Sequence, residues 1–558
     1  MKKYIGISIL ALGLGLTSCD DFLDELPDNR AAVDTEEKVE KLLVSAYPDI
    51  DYILVTETMS DNMDDMGEQN PNTERFLDQV FHWDDVTEGN NESPEQIWTS
   101  SYEAIVNANQ ALEAIGEVGD SRNMRIAKAE GLMARAYNHF ILVNIFCKNY
   151  NSQTSTTDMG IPYLDGLEDQ LNLHHERGTV AEVYEKIDKD LQEALPLVGD
   201  DYMTVPKFHF NAKAAYAFAA RFYLYYEKWD KAIEYANLCL GSNSQGVLRD
   251  WSYVSTLTNS FDAYTNHYID ASLNCNLLLM TAYSNLGVYF GPYTTWKRYA
   301  HNNWLASFET SKAINFWVDK NTANSYGDLT DRGRYIASHY YSSPKTYAGN
   351  NYDFVLFFKL PYLFEYTDPV AQIGYRRTIY PALTTDETLL NRAEAYIMKK
   401  QYEQATADIN TWVHNITKVK STFTTDSIVK FYNAEPYSYD DEAKLQSTIK
   451  KHLHPVFDID AEGSTQEAML QCVLGLRRIE TVQQGLRWFD IKRYGIEIPR
   501  RVINAKGAPE RAYDWLTVND ERRAVQIPDK VIDAGITPNP RVKTQSNDYV
   551  GPILQEIK

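Results

Sequence analysis

Two kinds of residue grouping in this chain could do chemistry. The first is a set of adjacent carboxylates, Asp64-Asp65 and Asp84-Asp85. Cleavage of a glycosidic bond needs two carboxyl groups roughly 5–10 Å apart across the substrate, and adjacency in sequence does not create that spacing. No GxSxG, HExxH, Walker or GxGxxG segment accompanies them. The second grouping is aromatic residues flanked by amides, carboxylates and arginines. "FHWDDVTEGNN" (81–91) sets Trp83 beside Asp84, Asp85, Asn90 and Asn91, and "SDNMDD" (60–65) adds Asp61 and Asp65. "GPYTTWKRYAHNNW" (291–304) supplies Tyr293, Trp296, Arg298, Asn302, Asn303 and Trp304. A flat ring packs on the apolar C–H face of a sugar and loses little side-chain entropy. Asp, Asn and Arg can meet the hydroxyls around its rim. Such a site needs no tuned acid or base. Taken singly, each ring is an ordinary core residue; as a cluster they favour binding over turnover.

These groups need elements to hold them. Residues 95–116 place Trp98, Tyr102, Ile105, Ala108 and Leu112 on one helical stripe, with Gly116 as the expected stop. Residues 125–147 repeat the pattern with Ile126, Ala129, Met133, Ala136 and Phe140. An internal repeat joins 219–240 to 392–413 at an offset of 173, matching Ala220 to Ala393, Tyr223 to Tyr396, Trp229 to Tyr402 and Ala232 to Ala405. Two alanines twelve apart, with an aromatic three before the second, are the tetratricopeptide pattern. The copies are not contiguous, which argues against a plain solenoid. Weaker helix pairs are expected at 98–147 and from 179–195 into 211–226. Helical periodicity fades over about 246–379 and again over 416–465, where loops and short strands are expected over a helical scaffold of about 35–245 and 380–415. Residues 466–558 form a C-terminal part that opens with a helix at about 466–486. The fold class is therefore mainly α, with an irregular, loop-rich part carrying the aromatic clusters.

Bulk properties narrow the partners. A chain of 558 residues with 44% hydrophobic and 13% aromatic content can bury a large core. Its formal net charge of −24 disfavours both nucleic acid and charge-driven binding to an anionic membrane. Cys147, Cys239, Cys275 and Cys472 show no metal-ligand spacing, so they read as buried thiols, with one disulfide left open. No cofactor is expected, and the sequence leaves a structural calcium ion undecided. The remaining cysteine, Cys19, follows a basic start (Lys2, Lys3) and an apolar run from Ile5 to Leu16. That run suits a signal peptide and is too short to span a bilayer. Leu16-Thr17-Ser18-Cys19 fits a lipobox, so residues 1–18 are expected to be removed and Cys19 acylated. Lipid would then be the only membrane tether.

Several segments resemble the SusD/RagB family, the glycan-binding outer-membrane lipoproteins of Bacteroidetes. They are "TSCDDFLDELP", "IWTSSYEAIVNANQALEAI", "AKAEGLMARAYNHFILVNIF" followed by "GIPYL", "DETLLNRAEAYIMKKQYEQATADIN", "LGLRRIETVQQGLRWFDIKRYG" and the tail "VQIPDKVIDAGITPNP". The likeness spans 19–558 as one domain; Gln484 departs from the family's usual glutamate. The resemblance implies four tetratricopeptide-like helix pairs, an irregular glycan-facing part and a partner, the SusC-type TonB-dependent outer-membrane barrel. It implies surface exposure on the outer membrane, in which Asp20 and Asp21 resemble an export signal. It places ligand contacts on Trp83, Asp84 and Asp85, on Tyr293, Trp296 and Trp304 in the aromatic insertion, and on Arg376 and Arg377 ahead of the "DETLLNRAEAY" helix. Arg487, Trp488 and Asp490 read as structural, with a packed tryptophan and an Arg–Asp pair. A surface glycoside hydrolase, and a protein-binding scaffold or peptide-uptake lipoprotein, stand as alternatives.

Overall fold

The computed structural model describes residues 33–167, 175–349 and 352–541; Cys19, Asp20, Asp21 and the leader lie outside them. The fold is mainly helical, as expected. Its longest helices start where the sequence offers a side-chain oxygen to their unpaired N–H groups. Ser93, followed by Pro94, caps Pro94–Val118; Ser121 caps Arg122–Phe146; Thr179 and Glu182 form a capping box on Val180–Ala194. Gly116 does not stop the first of these helices. It continues to Val118 and ends at Gly119, whose φ of 130° is a conformation that favours glycine. Arg122–Phe146 and Val180–Ala194 are clamped by Arg135, which donates to both Asp190 oxygens at 2.8 and 2.6 Å.

The internal repeat is real in three dimensions. Its copies are the helix pair Ala212–Tyr225 and Trp229–Leu240 and the pair Thr385–Met398 and Tyr402–Ile416. Ala220, Ala232, Ala393 and Ala405 are all buried, letting the helix axes approach. The equivalence extends into the turns: Glu227 and Lys400 both take a left-handed φ, 59° and 57°. Lys228 N–H donates to the Tyr223 carbonyl at 2.9 Å, and Gln401 N–H to the Tyr396 carbonyl at 2.8 Å. Although far apart in sequence, the copies touch, because Trp229–Leu240 packs on Thr385–Met398.

Three small sheets sit on this helical frame. One has the strand order Tyr299–Ala300, Asp64–Asp65, Ile498–Ile503, Pro509–Leu516. A second is the antiparallel order Asn276–Tyr283, Ile373–Thr384, Leu363–Asp368, and a third is the hairpin Lys345–Gly349 with Tyr352–Leu356. The C-terminal helix is shorter than expected. It covers Thr465–Thr481 and gives way to Arg487–Arg493. The break is made by Gln483 and Gly485 at φ 64° and 74°, whose N–H groups donate to the buried Glu57 carboxylate at 2.6 and 3.0 Å. Trp488 is fully buried, as expected. The expected Arg–Asp pair is two pairs: Arg487 binds Asp61, and Asp490 binds Arg477. The four described cysteines are free and buried. Among the described residues no helix is long and apolar enough to cross a membrane.

Candidate functional site

The three-stranded sheet carries the site. Its central strand Ile373–Thr384 runs directly into the helix Thr385–Met398, whose N-terminus Thr384 caps by accepting from Glu387 N–H at 3.2 Å. The strand is thus an extension of the helical frame. In the register Phe364 lies opposite Arg376 and Tyr283 opposite Arg377. Alternation along a strand then sorts the side chains onto two faces. On one face Arg377 donates to Glu365 and lies 4.4 Å from the Tyr283 ring centroid, with Tyr375 5.7 Å from Tyr283. On the other lie Phe364, Tyr366 and Arg376. Gly374 belongs to this second face, and a Cβ there would collide with the Glu365 carbonyl and the Phe364 ring. The missing side chain leaves the space that Phe364 occupies.

The loop 291–296 closes on the same face. Gly287 lies so close to Pro361 and Tyr362 that no side chain fits, and the Tyr293 ring covers Gly291. Tyr293 and Tyr362 are exposed, with centroids 6.0 Å apart. Trp296 is half-buried, 5.1 Å from the Tyr289 ring, and the Arg376 guanidinium lies 5.4 Å from its centroid. Its φ of 54° is a strained conformation for tryptophan, the kind of outlier that gathers at binding sites. Tyr366 is more than half exposed with Phe364 exposed beside it, and Tyr375 is more than half exposed on the opposite face. Exposed aromatic residues in this number on one small sheet make it a candidate interaction surface.

Beneath the rings lies a polar layer. Arg376 Nη1 donates to Asn285 Oδ1 at 2.7 Å. Asn285 in turn donates its backbone N–H and its side-chain amide to the buried Glu92 carboxyl. The Tyr289 hydroxyl donates to Glu74, which Asn90 Nδ2 also meets at 3.2 Å. Burial pushes the Glu92 carboxyl up to about 7, aided by the charge of Asp51, which burial itself raises to about 6. Lys297 is buried below the loop, donates to the Tyr289 carbonyl, and is drawn down to about 7 by burial.

Of the residues expected to bind ligand, the fold brings Tyr293, Trp296 and Arg376 together on one surface. It removes others. Trp83 is buried, its Nε1 donating to the Met59 carbonyl at 2.9 Å and its ring 3.8 Å from the Arg500 guanidinium. It has no face left for a sugar. Asp61 is buried against Arg487 at 2.8 Å; burial alone would raise its carboxyl, but Arg478 and Arg487 hold it far below the usual range. Asp65 is buried against Arg298 at 2.9 Å. Trp304 is half-buried, donating to Ser447 Oγ at 2.9 Å and stacked near Phe308. Asp84 and Asp85 are exposed, and Asp85 pairs with Arg541 at 2.8 Å. The loop before Pro94–Val118 does reach the aromatic surface, through Asn90 and Glu92 rather than Trp83. Tyr289, Asn285, Tyr362, Phe364 and Tyr366 join the surface beyond the expected residues; the alternating "YLFEY" at 362–366 is their one sequence signal.

Comparison with known proteins agrees with this architecture. A family model described as starch-binding, associating with outer membrane, matches residues 21–224, and the SusD family model matches residues 290–556. No curated protein gives a comparable match. Among solved structures, a SusD superfamily protein from Bacteroides thetaiotaomicron is 18% identical, with a TM-score of 0.55, covering 91% of this chain and 100% of its own. A SusD superfamily protein from Bacteroides vulgatus, 18% identical, has a TM-score of 0.58 over 91% of this chain and 99% of its own. A SusD-like carbohydrate binding protein from the same species, 14% identical, has a TM-score of 0.55 over 92% and 100%. At these identities the structures speak for the fold. The two sequence models, the tetratricopeptide-like pairs and this shared fold together place the chain in the SusD/RagB family.

Proposed function

We propose that this protein binds glycans without cleaving them, and that it captures oligosaccharides at the cell surface for a TonB-dependent outer-membrane barrel of the SusC type. In this reading Cys19 carries the lipid that holds it at the outer membrane. The observation that carries the binding role is the surface formed by Tyr293, Trp296, Tyr362, Phe364 and Tyr366 around Arg376. It offers ring faces for sugar planes and a guanidinium for hydroxyls or charges, the combination a saccharide needs. A solved relative's designation as a SusD-like carbohydrate binding protein supports the same ligand class. The raised carboxyls, Glu92 and Asp51, are buried under Asn285 rather than flanking an open cleft, which favours binding over hydrolysis. The barrel partner and the surface location rest on family membership and on the lipobox.

Isothermal titration against an oligosaccharide panel tests the site. Trp296→Ala and Tyr293→Ala are each expected to weaken the best ligand by about 2 kcal/mol or more, roughly 30-fold, as buried aromatic anchors do. Reducing-sugar release from the same ligands is expected to stay at background. Unchanged affinity in both variants, or turnover, removes the proposal.

A further inference from the structure

The two neighbouring arginines of the central strand are treated differently by the fold. Arg377 spends its guanidinium on Glu365 and on Thr281 Oγ1 at 3.4 Å. Arg376, half-buried on the aromatic face, donates through Nη1 to the neutral amide oxygen of Asn285 at 2.7 Å and lies over Trp296. Among the described residues it has no carboxylate partner, although the chain has 78 acidic side chains against 54 basic ones. A partly shielded guanidinium without a counter-charge is a ready partner for an anion. The Nε and Nη2 edge of its fork is unclaimed, and that edge matches a two-oxygen anion in geometry.

The acids around it are accounted for. Glu365 is held by Arg377. Glu92 faces the far side of Asn285, and burial with the Asp51 charge keeps much of it protonated near neutrality. Glu74 receives the Tyr289 hydroxyl and Asn90. Asp262 stands near the opposite end of the surface, where burial and its charge raise the Tyr293 phenol. The surface is therefore polar along its length, cationic at Trp296 and anionic beyond Tyr293.

Resting on the glycan-binding reading above, we infer that the ligand is an acidic glycan whose anionic group, a uronate carboxylate or a sulfate ester, is received by the free edge of Arg376 beside Trp296. The uncharged sugars of the same chain then run toward Tyr293 and Tyr362. Asn285 acts as a positioning residue, fixing the guanidinium from behind while its own amide is fixed by Glu92.

The test is titration of the full chain at low salt with oligouronides, their methyl esters, sulfated oligosaccharides and neutral oligosaccharides. The tightest ligand is expected to be acidic, and esterifying or desulfating it should weaken binding on the order of tenfold. Arg376→Gln should remove the same factor from the acidic ligand and weaken the esterified ligand much less. Arg376→Lys, which keeps the charge without the fork, should restore only part of it. Whether uronides or sulfated ligands bind decides the anion. A neutral glycan that binds through Trp296 and ignores Arg376→Gln overturns this inference alone. A panel on which nothing binds overturns it together with the glycan-binding reading.

Discussion

Trp83 and Trp296 share an unusual backbone, φ 57° and 54°, and have opposite fates. Trp83 closes a stack in which the Arg500 guanidinium lies 4.0 Å from Phe81 and 3.8 Å from Trp83. Arg500 itself donates to the carbonyls of Thr58, Met59, Ser60 and Phe81 at 2.5–3.1 Å, which caps two short helices at once. Removing the indole leaves a cavity and uncovers that cation. Trp83→Ala is therefore expected to cost about 3–5 kcal/mol of stability, the range for a fully buried large aromatic. Glycan affinity of the molecules that remain folded should not change. Chemical denaturation paired with titration separates the two effects; a stable Trp83→Ala protein that has lost its ligand contradicts this placement. Nothing near residue 83 announces its burial, because the partner that covers it lies more than 400 positions away.

At the scale of elements, legibility follows the range of the forces involved. The tetratricopeptide-like pairs could be read because each is set by local spacing: small residues at buried helix positions, a three-residue turn, an aromatic at the second helix start. The offset of 173 also makes Glu227 and Lys400 equivalent positions, and the structure gives both the same left-handed turn. The aromatic hairpin reads in sequence only as loop and short strand, since its rings face outward and its order comes from register with Asn276–Tyr283. Gly374 is the local key to that hairpin. Gly374→Val should push Phe364 off the strand, because the added carbon meets both the Glu365 carbonyl and the Phe364 ring. Affinity for glycan is expected to fall by roughly tenfold, as an aromatic contact is lost. Global stability should fall by no more than about 1 kcal/mol, since the outer strand is solvent-exposed. Faster hydrogen exchange confined to 363–376 would mark the effect as local; unchanged affinity would show that Phe364 is not part of the surface.

Across the whole molecule the N-terminal segment 57–65 is gripped by the C-terminal third. Arg487 holds Asp61 through both oxygens at 2.8 Å, Arg478 donates to the Asp61 carbonyl at 2.6 Å, and Arg501 holds Asp64 at 3.0 and 3.1 Å. Glu309, from the aromatic region, joins Arg478, Arg501 and Lys451 in the same buried cluster. Three acids here face three arginines and Lys451, which burial draws down to about 7, so removing one acid leaves a buried arginine uncompensated. Asp61→Asn is expected to cost about 3–5 kcal/mol at pH 7, the range for breaking one partner out of a buried pair. The pH dependence has a definite sign. Burial would raise the Asp61 and Glu309 carboxyls, but the surrounding cations outweigh it and hold both below their unfolded values. Their stabilisation is therefore complete only well above the unfolded values, from about pH 5 upward, and is lost as pH falls below that. The stability gap between the wild-type chain and Asp61→Asn should accordingly be widest at neutral pH and narrow steadily from about pH 5 downward. Guanidinium denaturation at a series of pH values measures it. A gap that stays constant to pH 3, or widens, would mean that Asp61 is not the ionised centre of this clasp.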